Sequence, residues 1–537
     1  MRGIVGYGAY VPYWRLERKA IAEALGAGGG AGTRAVASYD EDTTSLGVEA
    51  ARAALRGAAT VPQALYFATS DPAYLDKTNA TAIHAALDLP TSAFAVDMVG
   101  SVRSAVGAMR AARDARAPAL AVLSDIRTGL PGGGDERDGG DGAAAFLFAD
   151  DGPDARVLAE PIGGASATAE FLDRWRLPGE PASRQWEERF GEHAYVPLGE
   201  AALVEALKHA GVTAPAITRL IVAGPHGRAV KRVAAAAGLK KEAIADDLLA
   251  TVGNAGAAHA GLVFADFLDR AQADDLVAVV SLADGADASV WRVTGATHRP
   301  AGVAAQVAGG ARVAYPTFLS WRGFLRREPP RRPDPQAPEA PPSRRAEAWK
   351  FAFIGSRCQA CGVRHLPPQR VCVKCHAVDR MAPERLADVP AAIATFTVDR
   401  LAFSPSPPMV VAVLDFEGGG RFQSEMTDVD PKAVKIGADG TVSAAGRRIG
   451  QIQLVTVPAP TGLAAAGSGL YTVTAASGGV RPAGAGGQIQ QGILEASNVD
   501  LADAMVDMMD AQRSYSMASK AISMQDRMME IANGIKR

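Results

Sequence analysis

Short apolar runs alternate with amphipathic, alanine-rich segments through the first 300 residues. The runs "ALYFAT", "ALAVLS", "AAAFLFA", "RLIVAG" and "LVAVVSL" are nearly continuous, the pattern of strands buried on both faces. Between them, "TSLGVEAARAALRG" and "GEAALVEALKHAG" place apolar residues at helical spacing, the first opening on a Thr/Ser cap. This alternation predicts an α/β domain.

The pattern breaks at Pro329 to Pro342, "PPRRPDPQAPEAPP", whose seven prolines argue against helix or central strand. An extended linker is expected over residues 301–348. Next, "AAIATFTVDRL", "MVVAVLDFEG" and "RFQSEM" alternate as half-buried strands do. Beyond Ile436, Gly, Ala, Ser and Thr dominate, and then a long helix is expected from about Leu501 to Ile531. Ser497, Asn498 and Asp500 are its candidate caps. Leu501, Met505, Met508, Ala511, Tyr515, Ala518, Ile522 and Met529 form a stripe that should bury against another helix. Seven of the 13 methionines fall in this helix and are read as core filling, with no metal or redox role.

A chain of 537 residues exceeds one hydrophobic core and implies several domains. With 48% hydrophobic and 21% charged residues, its composition is that of a soluble globular protein. A formal net charge of −2 offers no electrostatic basis for binding nucleic acid or an anionic membrane. The opening "MRGIVGYGAYVPYW" has no long apolar segment, and no uncharged apolar run reaches about 18 residues. No secretory signal or membrane span is therefore expected, and the cytoplasm is the expected compartment.

All four cysteines lie in "CQACGVRHLPPQRVCVKC", two C-x2-C pairs ten residues apart: Cys358, Cys361, Cys372 and Cys375. Each pair can turn two thiolates toward one point, and the softness of four sulfurs favours structural Zn²⁺ with a closed shell. His365 and His376 stand nearby as bystanders. No thiol is then left to act as a nucleophile.

The segments "SRCQACGVRHLPPQRVC", "TFTVDRL" and "PPMVVAVLDFEGGGRF" resemble the zinc-ribbon plus OB-fold proteins that accompany thiolases. The resemblance implies a ribbon over 349–378, an OB-fold over 379–436, and a thiolase partner. An OB face can also bind nucleic acid, but these strands lack an aromatic and basic pattern.

The segments "GIVGYGAYVPYWRL", "DEDTTSLGVEAARAAL", "ATSDPAYLDKTNATAI", "GDGAAAFLFADD" and "TVGNAGAAHAGLVFADFL" resemble the thiolase-like superfamily, in particular hydroxymethylglutaryl-CoA synthase and the type-three ketoacyl synthases. For residues 1–300 this implies a five-layered αβαβα fold, a homodimer, and an acyl-CoA substrate. It also implies that "FAVDMVGSVRSAVGAM" is the strand and helix that present a nucleophilic cysteine, yet the matching position is Val102, beside Ser101 and Ser104. A serine attacks only with a base at hand. The family glutamate falls near Ser70 or Asp71, the histidine at Ala223 or His226, and the oxyanion asparagine at Asn254. Asp71, Ser101, His226 and Asn254 are thus the candidate catalytic residues. The structural alternatives are a turn for Asp71, a loop for His226, and packing for His259. Thiolase-like retro-aldolases of steroid side-chain degradation dispense with the cysteine, and by that analogy Tyr10 and Tyr74 are candidate proton donors. The domain then either makes or breaks carbon–carbon bonds on an acyl-CoA without a covalent thioester, or serves as a non-catalytic scaffold.

Residues 437–537, with "GLYTVTAASG", "QGILEASNVDLADAMVDMMDAQRSY" and "SKAISMQDRMM", resemble the carboxyl end of flagellar basal-body rod and hook proteins. That implies rod subunits as partners, the flagellar basal body as an alternative location, and a structural role in motility as the alternative function. The join is abrupt and leaves the OB barrel open or patched by borrowed strands. It predicts a fusion of two unrelated genes.

Overall fold

The continuous apolar runs become strands because each is covered on both faces. The first half of the leading domain contains β1 (Arg2–Tyr10), β2 (Trp14–Glu17), α1 (Arg18–Leu25), β3 (Thr33–Val36), α2 (Thr43–Leu55), β4 (Ala64–Thr69) and α3 (Ala80–Ala86). It continues with β5 (Phe94–Val99), α4 (Ser104–Asp114), β6 (Ala119–Ile126), α5 (Gly134–Asp138) and β7 (Asp141–Asp150). The second half contains β8 (Ala159–Thr168), β9 (Arg174–Trp175), β10 (Arg184–Gln185), α6 (Glu188–Ala210), β11 (Arg219–Ala223), α7 (Gly227–Ala236), α8 (His259–Leu268), β12 (Leu276–Leu282) and β13 (Gly285–Val293). This computed structural model describes residues 1–295, 302–328 and 339–429, and beyond them 435–436, 441–444, 447–452, 454–467, 470–483, 489 and 501–535. It separates into two compact units, Met1–Pro431 and Lys432–Arg537.

Strands β1-β7-β6-β4-β5 and β11-β12-β13-β8 form two halves joined at the pair Ile4 and Ala159. Outside the first half, α2 and α3 bury Leu46, Ala50 and Ile83 against Leu65, Phe67 and Leu147. Outside the second, α6 and α7 bury Leu203, Ala206 and Val233 against Leu220, Val280 and Val290. Helices α4 and α8 lie between the halves, where Ala108, Ala112, Leu262 and Phe264 meet Phe146, Phe148, Val277 and Trp291. The result is the expected αβαβα layering. Small residues let the layers approach: a Cβ at Gly8 would lie 2.4 Å from the Ala50 carbonyl oxygen of α2.

Two element boundaries differ from expectation. Helix α2 is capped by Asp42, which accepts from the Ser45 amide at 2.7 Å while Ser45 Oγ accepts from the Asp42 amide at 2.8 Å. Helix α6 begins at Glu188, eleven residues before the predicted start at Gly199, and carries Pro197 inside it. Tyr195 and Gly191 are buried in this extension, so tertiary packing holds it despite the proline.

The expected linker is ordered over much of its length. Residues 302–328 carry α9 (Val303–Ala308), β14 (Ala311–Arg312) and α10 (Tyr315–Trp321). Strand β14 pairs with β2, and Tyr315 and Phe318 join Leu16, Ile21 and Val36 in a small core. Residues 329–338 of the proline-rich stretch lie outside the described residues. Its end forms α11 (Ala340–Arg345), with proline in the first turn where no amide donor is needed, and then α12 (Glu347–Phe351).

The ribbon comprises β15 (Ile354–Cys358), β16 (Arg364–His365) and β17 (Met381–Arg385), in order β16-β15-β17. The OB segment contributes a three-stranded antiparallel sheet, β18 (Ala391–Asp399), β19 (Met409–Phe416) and β20 (Arg421–Met426). Among the described residues no closed barrel forms. In the second unit, β21 (Lys435–Ile436), β22 (Thr441–Ala444) and β23 (Arg447–Gln451) make a small sheet, and α13 spans Leu501–Ile535. Met505, Met508, Tyr515 and Ile522 of the predicted stripe are exposed. The cap candidates Ser497, Asn498 and Asp500 lie outside the described residues. No described helix is long and apolar enough to cross a membrane.

Asp141 ties the small core to the main sheet. Fully buried, it accepts from Arg34 Nη2 at 3.2 Å, from the Ala37 amide at 2.7 Å, from the Arg127 amide at 3.0 Å, and from Arg322. Burial pushes the Arg34 guanidinium down to about 10 against the pull of Asp141. Asp141→Ala strands two buried arginines, so urea unfolding of the full chain should show a loss of about 3–5 kcal/mol.

A second tie joins the first domain to the OB segment. Tyr10 donates to Glu41 at 2.5 Å, and Tyr39 donates to Glu425. Burial pushes the Glu41 carboxyl up to about 7 and the nearby Asp428 carboxyl up to about 6. Burial therefore favours the neutral form of both. Their contribution is fully present below about pH 4 and is lost as pH rises through 6 and 7. The melting temperature should fall between pH 5 and pH 8, and Glu41→Gln should flatten much of that fall.

Candidate functional site

Three chain segments converge on the buried carboxylate of Asp125, near the end of β6. It accepts from Thr69 Oγ1 at 3.1 Å, from the Ser70 amide at 3.1 Å, from Ser70 Oγ at 2.7 Å, and from the Ala257 amide at 2.8 Å. Arg127 Nη1 lies 3.7 Å from Asp125 and donates to Ser70 Oγ at 3.0 Å. Gly256, at φ +51°, passes so close that a Cβ there would fall 2.0 Å from Asp125 Oδ2. The end of β4, the end of β6 and the turn after Asn254 are thereby fixed to one point.

Two cavities meet above it. One, of about 320 Å³, is lined by Asp71, Ser101, Asp173, Arg176, Tyr195 and Asp284. The other, of about 350 Å³, is lined by Asn254, His259, Phe264 and Trp291. Val102, Arg127 and Pro225 line both. The position matched to the missing cysteine is thus the apolar junction between the two.

Asp71 Oδ1 accepts from Arg176 Nη2 at 2.8 Å, and the same nitrogen donates to the Ser70 carbonyl at 2.8 Å. Burial pushes the Asp71 carboxyl above its ordinary value against the pull of Arg176. Arg176 follows β9, and Arg174 within it is anchored on Asp135 at 2.8 and 2.7 Å. Burial also raises Asp284, while a hydrogen bond from Ser101 pulls it down. Asn254 Nδ2 donates to the Gly224 carbonyl at 2.9 Å, and its Oδ1 accepts from the Gly256 amide at 3.0 Å.

His226 is buried behind the cleft wall and lines neither cavity. Its Nε2 donates to Asp173 Oδ2 at 2.9 Å, and Tyr195 donates to that same oxygen at 3.0 Å. Its Nδ1 faces Gln185 Nε2 at 3.4 Å. The structure therefore brings Asp71 and Ser101 into one cavity, sets Asn254 in the adjoining one, and keeps His226 one residue back. His259 is buried and pushed down to about 4 by that burial, so it is neutral at ordinary pH. Tyr10 and Tyr74 line neither cavity; Tyr74 is exposed.

Sequence reasoning missed Asp125, Arg127, Asp173, Arg176, Tyr195 and Asp284. A signal existed for the first two: "LSDIR" puts an acid and a base directly after a continuous apolar run, where a central strand ends. Asp173, Arg176 and Tyr195 come from segments without periodicity or motif.

In the ribbon, the four cysteine sulfurs lie within 4.8 Å of one another. Cys358 and Cys375 Sγ are 3.6 Å apart, and Cys361 and Cys372 Sγ are 3.5 Å apart. Metal–sulfur bonds of about 2.3 Å in a tetrahedron set sulfurs about 3.8 Å apart, so the cluster could hold a metal ion. The Lys374 and Cys375 amides point at Cys372 Sγ at 3.4 and 3.5 Å, stabilising its thiolate. The His365 ring faces the Val373 amide through Nε2 at 3.3 Å, and the cysteine cluster needs no histidine.

The family model "ChsH2, C-terminal OB-fold domain" matches residues 385–439, and "Flagellar basal body rod FlgEFG protein C-terminal" matches residues 490–535. Hydroxymethylglutaryl-CoA synthase of Methanocaldococcus jannaschii is 29% identical over 310 residues, 55% of this chain and 89% of the relative. That of Aeropyrum pernix is 30% identical over 304 residues, 54% of this chain and 83% of the relative. The crystal structure of an HMG-CoA synthase complexed with CoA overlays with a TM-score of 0.52 at 17% identity, covering 59% of this chain and 89% of that one, and supports the fold.

If Asp125 organises the cleft, Asp125→Asn should speed hydrogen exchange of the Ser70 and Ala257 amides at least tenfold. Amides of β18–β20, remote from it in the chain, should exchange as before.

Proposed function

The chain belongs, through its first domain, to the hydroxymethylglutaryl-CoA synthase family, and from that membership we propose that this domain binds an acyl-CoA and makes or breaks a carbon–carbon bond on it without an acyl-enzyme. The observation that carries this reading is the composition of the cleft around Val102: the attacking atom is gone, while acids, a serine and an asparagine stand around its position. Asp71, biased by burial toward its neutral form, suits a general acid at a substrate oxygen. Asn254 spends one amide hydrogen on Gly224 and keeps the other for a thioester carbonyl. Ser101, held by Asp284, supplies a hydroxyl beside that carbonyl. His226 acts through Asp173 as a positioning residue for Tyr195.

The exposed Phe94 and Val99 of edge strand β5 support a homodimer through that strand. The cysteine quartet suits structural Zn²⁺, held by Cys358, Cys361, Cys372 and Cys375. For the second unit, the match at 490–535 and the exposed apolar residues of α13 support a rod-type segment that packs on other helices.

Rapid quenching with radiolabelled acyl-CoA tests the central reaction. The wild-type chain should retain no label, and Val102→Cys should retain it. Metal analysis of the purified chain should find about one zinc per chain, and Cys372→Ser should lower that below half and raise the protease sensitivity of the ribbon.

A further inference from the structure

The second cavity is larger than the chemistry at Val102 requires. From Val102, just before α4, it follows one face of that helix through Ala105, Val106 and Met109. Phe264 of α8 and Trp291 of β13 line it as well. Opposite α4, Gly164 and Ala165 of β8 and Ala288 of β13 carry too little side chain to fill the gap. Its three arginines are already matched: Arg110 with Asp287 at 3.1 Å, Arg113 with Asp114 at 2.6 Å, and Arg127 with Asp125 at 3.7 Å. Each of these cations has a carboxylate within 4 Å, and Arg110 shares Asp287 with Arg103, which lies 2.9 Å from it. Along α4 the driving force for an occupant is removal of apolar surface from water.

We propose that this cavity receives the hydrocarbon chain of a medium-length acyl-CoA, entering past Val102 and running along α4 toward Trp291. The inference rests on the acyl-CoA reading above and adds the substrate class. At about 30 Å³ for each water-sized group, its volume accommodates on the order of ten chain atoms. Short acyl groups would leave most of the space unfilled.

Equilibrium titration of the full chain with CoA, butyryl-CoA and octanoyl-CoA tests it. Burial of each methylene is worth about fourfold in affinity. Octanoyl-CoA should therefore bind at least thirtyfold tighter than butyryl-CoA, with a change in tryptophan fluorescence that Trp291→Phe removes. Val106→Trp, which places bulk in the path, should flatten the series, and Met109→Trp, farther along α4, should flatten it only for the longer chain. Equal affinity for butyryl-CoA and octanoyl-CoA, or an undiminished increment in Val106→Trp, overturns this inference and leaves acyl-CoA binding standing. Failure of CoA and both thioesters to bind overturns the acyl-CoA reading and this inference with it.

Discussion

The buried Asp125 carboxylate is the constraint on which the cleft depends. A lone charge in that position would be prohibitively costly; four hydrogen-bond donors and a nearby guanidinium offset the loss of water. Those donors come from β4, whose end leads to Asp71, and from the turn that follows Asn254. The same interaction that satisfies the charge thereby sets the spacing between a candidate acid and a candidate oxyanion donor. Asp141 does comparable work, holding Arg34 and Arg322, both of whose guanidiniums lie over the Phe318 ring.

Loss of the cysteine has a structural counterpart. Valine at residue 102 is apolar, branched and unreactive, and it sits where two cavities share a wall. A thiolate there would need a nearby donor or positive charge to form. Arg127 lines both cavities beside Val102, and Asp71 and Asp284, both raised by burial, line one of them.

Much of the fold was legible because burial on both faces leaves continuous apolar runs, as in "ALYFAT" and "LVAVVSL". The cysteine quartet was legible because its two C-x2-C pairs have the spacing that lets four sulfurs meet at one point. The start of α6 was not, since Pro197 reads as a helix boundary and only tertiary contacts of Tyr195 override it. The order in residues 302–328 was hidden for a similar reason: β14 has two residues and exists only by pairing with β2. In the candidate site, Asp71, Ser101 and Asn254 were singled out through a resemblance. Asp173 and Tyr195, which hold His226 away from the cavities, come from irregular or helical segments whose role emerges only when the chain is folded.

The most direct test is a crystal structure of the full chain with a non-hydrolysable acyl-CoA analogue. The thioester-equivalent carbonyl should lie between Ser101 and Asn254, beside Val102, with the ligand unattached to the protein. An analogue bound away from Val102, or a protein side chain within bonding distance of that carbonyl carbon, would contradict the account.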